Sequence, residues 1–78
     1  MRQKTLKLIV TFHTTTAAMA MEKACAAGGI PGRLIPVPRE ITAGCGMSWK
    51  AEPADRPALE AFVKEKNITV AGWYELML

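Results

Sequence analysis

Apolar and polar residues alternate along two stretches of the chain, residues 6–12 and residues 47–51. A period of two is typical of a strand with one buried face, so both stretches are predicted strands. Between them, residues 31–38 contain three prolines, and residues 33–37 are the predicted second strand. Pro36 limits this strand to the edge of a sheet because it has no backbone N–H to donate. Residues 68–78 are rich in strand-forming residues and are the predicted fourth strand, with Gly72 as a bulge or close-packing point.

A first helix is predicted between the first two strands. Any of Thr14, Thr15 and Thr16 can cap its start, and Gly28 and Gly29 end it after about residue 27. Its predicted buried face consists of three residues at helical spacing, Ala18, Met21 and Cys25.

A second helix follows the third strand. Asp55 is its predicted cap, Pro57 lies in its first turn, and Asn67 is a plausible left-handed stop. One face is traced by Leu59, Phe62, Val63 and Lys66.

The predicted element order is βαββαβ, which is the ferredoxin-like, split βαβ arrangement. We therefore expect one α+β domain spanning residues 1–78, with a four-stranded antiparallel sheet in the order 4-1-3-2 and both helices on one face. In this topology strand two lies at an edge, where Pro36 requires it to be.

Composition and charge narrow the function classes. Half of the residues are apolar, which suits a compact domain, and the net charge is +3. The ten Lys and Arg residues are spread along the chain without forming a stripe, so nucleic acid is not an expected partner. No stretch approaches the length needed to span a membrane, and the apolar run near the N-terminus is too short for a signal peptide, so a cytoplasmic location is expected.

The chain has two cysteines and one histidine, Cys25, Cys45 and His13. They lack a Cys-x-x-Cys pair and are fewer than the four ligands of a structural zinc site, so neither a metal nor another cofactor is expected. In a reducing compartment the two cysteines are expected to be free thiols. Cys25 falls on the apolar face of the first helix and is predicted to be a core residue.

Cys45 lies between Gly44 and Gly46 in the loop after strand two. Glycines leave the sulfur uncovered by its immediate neighbours and allow the backbone to turn sharply. In a ferredoxin-like topology this loop and the start of the first helix emerge at the same end of the sheet, so His13, Thr14–Thr16, Arg39 and Cys45 are expected to cluster. The helix N-terminus and Arg39 would favour the thiolate form of Cys45, which is the reactive form.

Several motifs together resemble a known family of small bacterial proteins, the Se/S carrier protein-like family. The motifs that carry the resemblance extend over nearly the whole chain: Thr11-Phe12-His13-Thr14-Thr15, Glu22-Lys23, Gly29-Ile30-Pro31, the run from Arg33 through Pro36-Val37-Pro38-Arg39-Glu40 to Ile41, and Gly44-Cys45-Gly46-Met47.

The resemblance implies that Cys45 is a carrier thiol, which holds sulfur or selenium as a persulfide or selenosulfide. Arg39 and His13 match family positions and would line the site. The implied partners are separate donor and acceptor proteins, and the implied activity is that of a carrier rather than of an enzyme with many turnovers. Which chalcogen is preferred stays open.

Two alternatives also stay open. The chain could be a non-catalytic module that holds a small anion with the first helix N-terminus, Thr14–Thr16 and Arg39, and then Cys45 would be incidental. Separately, the sheet face opposite the helices, which Ile9 should share, is expected to be uncovered and could pair with a second copy to form a homodimer.

Overall fold

The computed structural model describes residues 4–41 and 46–78, and these contain four strands and two α-helices. In chain order the elements are β1 Leu6–Thr11, α1 Thr15–Gly28, β2 Arg33–Pro36, β3 Met47–Ala51, α2 Arg56–Glu65 and β4 Gly72–Met77. The predicted βαββαβ order is confirmed.

The four strands form one antiparallel sheet in the order β2-β3-β1-β4, which is the predicted order read from the other edge. Pro36 lies in the edge strand β2, as its missing N–H requires. The prediction that the fourth strand begins at Ile68 is wrong, because β4 begins at Gly72. The preceding residues close the end of α2 instead: the Ile68 N–H donates to the Val63 carbonyl at 2.9 Å.

Both helices pack on one face of the sheet, as predicted. Cross-strand neighbours share a face, and the pairs Leu8–Ala51 and Val10–Trp49 belong to a single buried cluster with residues of both helices. The helices contribute Ala18, Met21 and Cys25 from α1 and Leu59 and Val63 from α2. This cluster is the main hydrophobic core.

The helix ends follow the capping residues in the sequence with one exception. The Thr14 hydroxyl accepts a hydrogen bond from the Ala17 N–H at 3.1 Å, and Gly29 ends α1 in the left-handed conformation with φ of 69°. Asn67, with φ of 56°, is the predicted left-handed stop after α2. Asp55 occupies the predicted N-cap position of α2, but its side chain makes no capping hydrogen bond.

Asp55 belongs to a short 3-10 turn, Pro53–Asp55, that leads directly into α2. Its backbone is helical, with φ of −86° and ψ of −2°, and its side chain makes no capping hydrogen bond. A capping side chain normally needs an extended backbone at its own residue. Lys66 is exposed beyond the end of α2, so it does not continue the buried face of this helix as predicted.

The second face of the sheet, here called the outer face, contains Ile9 and its cross-strand neighbours Lys50 and Tyr74. The expectation that this face is uncovered is wrong at Ile9, which is fully buried, while Tyr74 on the same face is 41% exposed. Ile41, in the segment after β2, is only 7% exposed. Neither Ile9 nor Ile41 belongs to the helix-side core. We infer that the segment after β2 covers part of the outer face. Because Ile9 is not exposed, it gives no support for a homodimer.

Gly32, just before β2, sits against the indole ring of Trp49. Its φ is 125°, and a Cβ at this position would collide with the Trp49 ring and lie 2.7 Å from the Lys50 carbonyl oxygen. Only glycine fits this contact without a shift of the backbone. The close approach joins the edge strand to the core, because Trp49 is 3% exposed.

Candidate functional site

The segment between β2 and β3 begins and ends at the end of the sheet where α1 begins. Thr11, the last residue of β1, pairs with Ser48, and Pro36 pairs with Met47. The base of the segment is closed by the Val37 N–H, which donates to the Gly46 carbonyl at 3.0 Å. Val37 and Gly46 therefore meet at the end of the sheet where α1 begins.

His13 and Thr14 lie together in a groove of about 390 Å3. Thr16, in the first turn of α1, and residues 66–69, which follow α2, line the same groove. Thr15 is exposed in the same turn of the helix but does not line this groove. The α1 N-terminus, with its partial positive charge, is thus open to solvent.

Arg39 lies in a tight turn after β2. The turn is closed by the Ile41 N–H, which donates to the Pro38 carbonyl at 2.9 Å, and the Arg39 side chain is exposed. Arg39 does not line the His13 groove. Its neighbour Glu40 instead lies on the outer face beside Lys7 and Lys50.

Gly44 and Cys45 lie outside the described residues. The next residue, Gly46, is exposed and has φ of 77°, a left-handed conformation that L-residues with side chains rarely adopt. A Cβ at Gly46 would meet no atom within 4 Å, so the backbone conformation alone favours glycine here.

Cys25 is confirmed as a core residue. Its side chain is fully buried, and burial raises the pKa of the thiol to about 11, because the thiolate loses its solvation. At neutral pH this cysteine is a protonated thiol without access to partners, and it does not qualify as a nucleophile.

A second groove, of about 600 Å3, lies on the outer face and was missed by reasoning from the sequence. Four of its lining side chains are cations, Lys4, Lys7, Arg33 and Lys50. They are far apart in the chain, and only the strand register brings them to one face.

Within the described residues, no group of three or more His, Cys, Asp or Glu side chains could hold a metal ion. In the same part of the chain, neither helix is both long enough and apolar enough to cross a membrane.

The described residues define a small α+β fold of ferredoxin-like topology, with Cys25 in the core. The second cysteine, Cys45, lies between β2 and β3 in the sequence. A family model described as "Putative Se/S carrier protein-like" matches residues 7–75, and the chain belongs to this family. No curated protein and no solved structure matches the chain.

Proposed function

We propose that this protein carries sulfur or selenium on Cys45 and passes it between separate donor and acceptor proteins. The family supports a selenium or sulfur carrier in general terms. Cys45 is favoured as the carrier thiol because the other cysteine is buried. The chain has two cysteines, and Cys25 is buried with its thiol pKa raised to about 11. Cys45 is the remaining thiol for a carrier role.

The transfer is a thiol exchange that needs no external oxidant or reductant. The Cys45 thiolate attacks the terminal sulfur or selenium of a persulfide or selenosulfide on the donor. The donor's S–S or S–Se bond breaks, its cysteine leaves as a thiolate, and the new bond forms on Cys45. The same exchange with an acceptor thiolate discharges the carrier and returns Cys45 to its thiolate form.

Two features of the described residues support a reactive thiol in this loop. The loop is closed at its base by the bond between Val37 and Gly46, next to the start of α1. The partial positive charge at a helix N-terminus favours a nearby thiolate. His13 is exposed beside the first turn of α1, and Arg39 is an exposed cation within the loop itself. Each is available to pair with an anionic terminal atom.

A second candidate function is a non-catalytic module that holds a small anion. The groove that joins the α1 N-terminus with Lys66 favours this candidate, because it combines free backbone N–H groups with a cation. Arg39 adds nothing to this groove, since it is not among its lining residues. In such a module, replacement of Cys45 would leave anion binding unchanged.

Intact-mass spectrometry separates the two candidates. The purified chain is incubated with a cysteine desulfurase and either cysteine or selenocysteine. A carrier gains one sulfur or selenium atom in the wild type and in Cys25→Ser, and gains none in Cys45→Ser. An anion-binding module gains no atom in any of the three, and loading that persists in Cys45→Ser contradicts the proposal.

A further inference from the structure

The side chains that line the outer-face groove carry a net positive charge as large as that of the whole chain. It is lined by four cationic side chains, Lys4, Lys7, Arg33 and Lys50, and by one carboxylate, Glu40. The formal charge of these side chains is therefore +3, which equals the net charge of the chain. Positive and negative side chains balance over the rest of the sequence.

The cations of this groove are poorly neutralised by the protein itself. Lys7 forms an ion pair with Glu52, which is itself largely exposed. Lys4, Arg33 and Lys50 form no ion pair among the described residues. Elsewhere Arg56 is held by two carboxylates, Glu60 and Glu75. The contrast indicates that the groove cations are available to an external anion.

The arrangement of the cations fits an extended ligand better than a compact one. Arg33 and Lys50 are direct cross-strand neighbours, and Lys50 pairs in turn with Ile9, two residues from Lys7. The charges thus cross three strands, which are spaced about 4.8 Å apart. The groove is walled by strand side chains, whereas compact phosphate sites use a helix N-terminus or a glycine-rich loop whose backbone N–H groups converge.

We propose that the outer-face groove is the docking site for an acidic segment of a partner protein. Long cationic side chains on three neighbouring strands match the carboxylates of an extended acidic peptide through complementary charge. Glu40 lines the groove but forms no ion pair with its cations among the described residues, so these cations remain available to the partner.

The position of Glu40 connects docking to the candidate thiol. Glu40 lies five residues before Cys45 in the sequence, within the loop between β2 and β3. A segment that docks beside Glu40 therefore lies near the part of the chain that leads to Cys45. That the docked partner is a chalcogen donor or acceptor rests on the proposed function, whereas the docking itself does not.

The test uses a fluorescein-labelled decaglutamate peptide as the probe, with fluorescence anisotropy at low ionic strength. The wild type binds, and the double variant Arg33→Gln/Lys50→Gln binds roughly tenfold more weakly, because two charges of the groove are lost. Glu40→Gln binds the probe roughly a few-fold more tightly, because the variant removes a negative charge that repels the acidic peptide. Circular dichroism confirms that each variant is folded.

The matched control is Lys23→Gln/Lys64→Gln, which changes the net charge equally on exposed positions of the two helices. Its affinity stays within about twofold of the wild type. Equal loss in both double variants would mean that only net charge matters and would overturn the proposal. So would no binding by the wild type, stronger competition by inorganic phosphate or ADP than by unlabelled peptide, or tighter binding of an RNA oligonucleotide.

The loading of Cys45 with sulfur or selenium is measured separately, so that a failure of docking can be told apart from a failure of the proposed carrier function. If docking fails but Cys45 is still loaded from inorganic polysulfide, the groove assignment alone is wrong. If the peptide binds as described but Cys45 cannot be loaded by any donor, the carrier function is wrong and the docking surface stands.

Discussion

Cys25 and Cys45 are expected to differ sharply in their reaction with iodoacetamide at neutral pH. Cys25 is fully buried and its thiol pKa is raised to about 11, so almost none of it is thiolate. Alkylation followed by peptide mapping should modify Cys45 far faster than Cys25. Cys45→Ser should abolish the rapid phase and Cys25→Ser should retain it. Equal rates for the two cysteines in the folded wild type would refute the assignment of Cys45 as the working thiol.

The raised pKa of Cys25 also predicts how stability depends on pH. The protonated thiol is favoured in the folded state, whereas in the unfolded chain its pKa is near 9. This contribution to stability is complete below pH 9 and is lost as the pH rises towards 11. The loss reaches about 3 kcal/mol, because each pKa unit corresponds to about 1.4 kcal/mol.

Urea unfolding of the wild type and of Cys25→Ala between pH 8 and pH 11 measures this loss. Cys25→Ala cannot ionise at this position, so the difference in unfolding free energy between the two proteins should narrow as the pH rises. Other titrating groups cancel in the difference. A difference that is constant across the range would show that the Cys25 thiol is not desolvated.

Among the glycines that the structure describes, Gly32 is the one whose replacement by alanine should lower the unfolding free energy most. Its left-handed backbone costs a side chain about 1–2 kcal/mol. The collision of a Cβ with Trp49 and with the Lys50 carbonyl adds about 1–3 kcal/mol of overpacking. Gly32→Ala should therefore lower the unfolding free energy by roughly 2–5 kcal/mol.

The matched control for Gly32→Ala is Gly29→Ala. Gly29 also has a positive φ, 69°, but a Cβ there would meet no atom within 4 Å. Gly29→Ala should lower the unfolding free energy only through its left-handed backbone, by about 1–2 kcal/mol. Similar losses in both variants, measured by urea unfolding, would mean that the contact between Gly32 and Trp49 does not matter.

At the scale of elements, the loop after β2 is expected to be held to the sheet by Ile41. This residue is 7% exposed and lies outside the helix-side core. Ile41→Ala should destabilise the protein by about 2 kcal/mol, near the lower limit for truncating a buried Ile, because a loop can relax around the lost volume. Amide exchange in residues 37–41 should become faster.

Met19→Ala is the control for the Ile41 variant. Met19 is 60% exposed on α1, so its truncation removes little buried surface. The unfolding free energy of Met19→Ala should lie within about 0.5 kcal/mol of the wild type. An Ile41→Ala variant as stable as this control would contradict the anchoring of the loop.

The elements that the sequence predicts well are those with strong local signals. The alternation in β1 and β3, the Thr14 cap and the Gly29 stop all act over a few residues, and the structure follows them. The predictions are wrong where a neighbouring element determines the backbone conformation instead of the local sequence. Asp55 loses its capping role because the 3-10 turn before α2 makes its backbone helical, and β4 begins late because Ile68 bonds back to α2.

At the scale of the whole molecule, the outer face could not be predicted from local patterns. Ile9 occupies a position that alternation assigns to solvent, but it is buried, as is Ile41 from a distant part of the chain, and neither belongs to the helix-side core. The cations of the outer-face groove likewise come from separate strands. Cys45 could be singled out from its flanking glycines and the family motifs, while the docking groove required the strand register.

The most direct test of the carrier account is transfer from Cys45 to a second thiol. The chain is loaded with sulfur or selenium, separated from its donor, and mixed with an acceptor peptide that contains one cysteine. Mass spectrometry should show that the chain gains one atom on loading, that the atom maps to Cys45, and that it moves to the acceptor while the chain returns to its original mass. A chain that never gains the atom, gains it equally in Cys45→Ser, or retains it in the presence of excess acceptor would contradict the account.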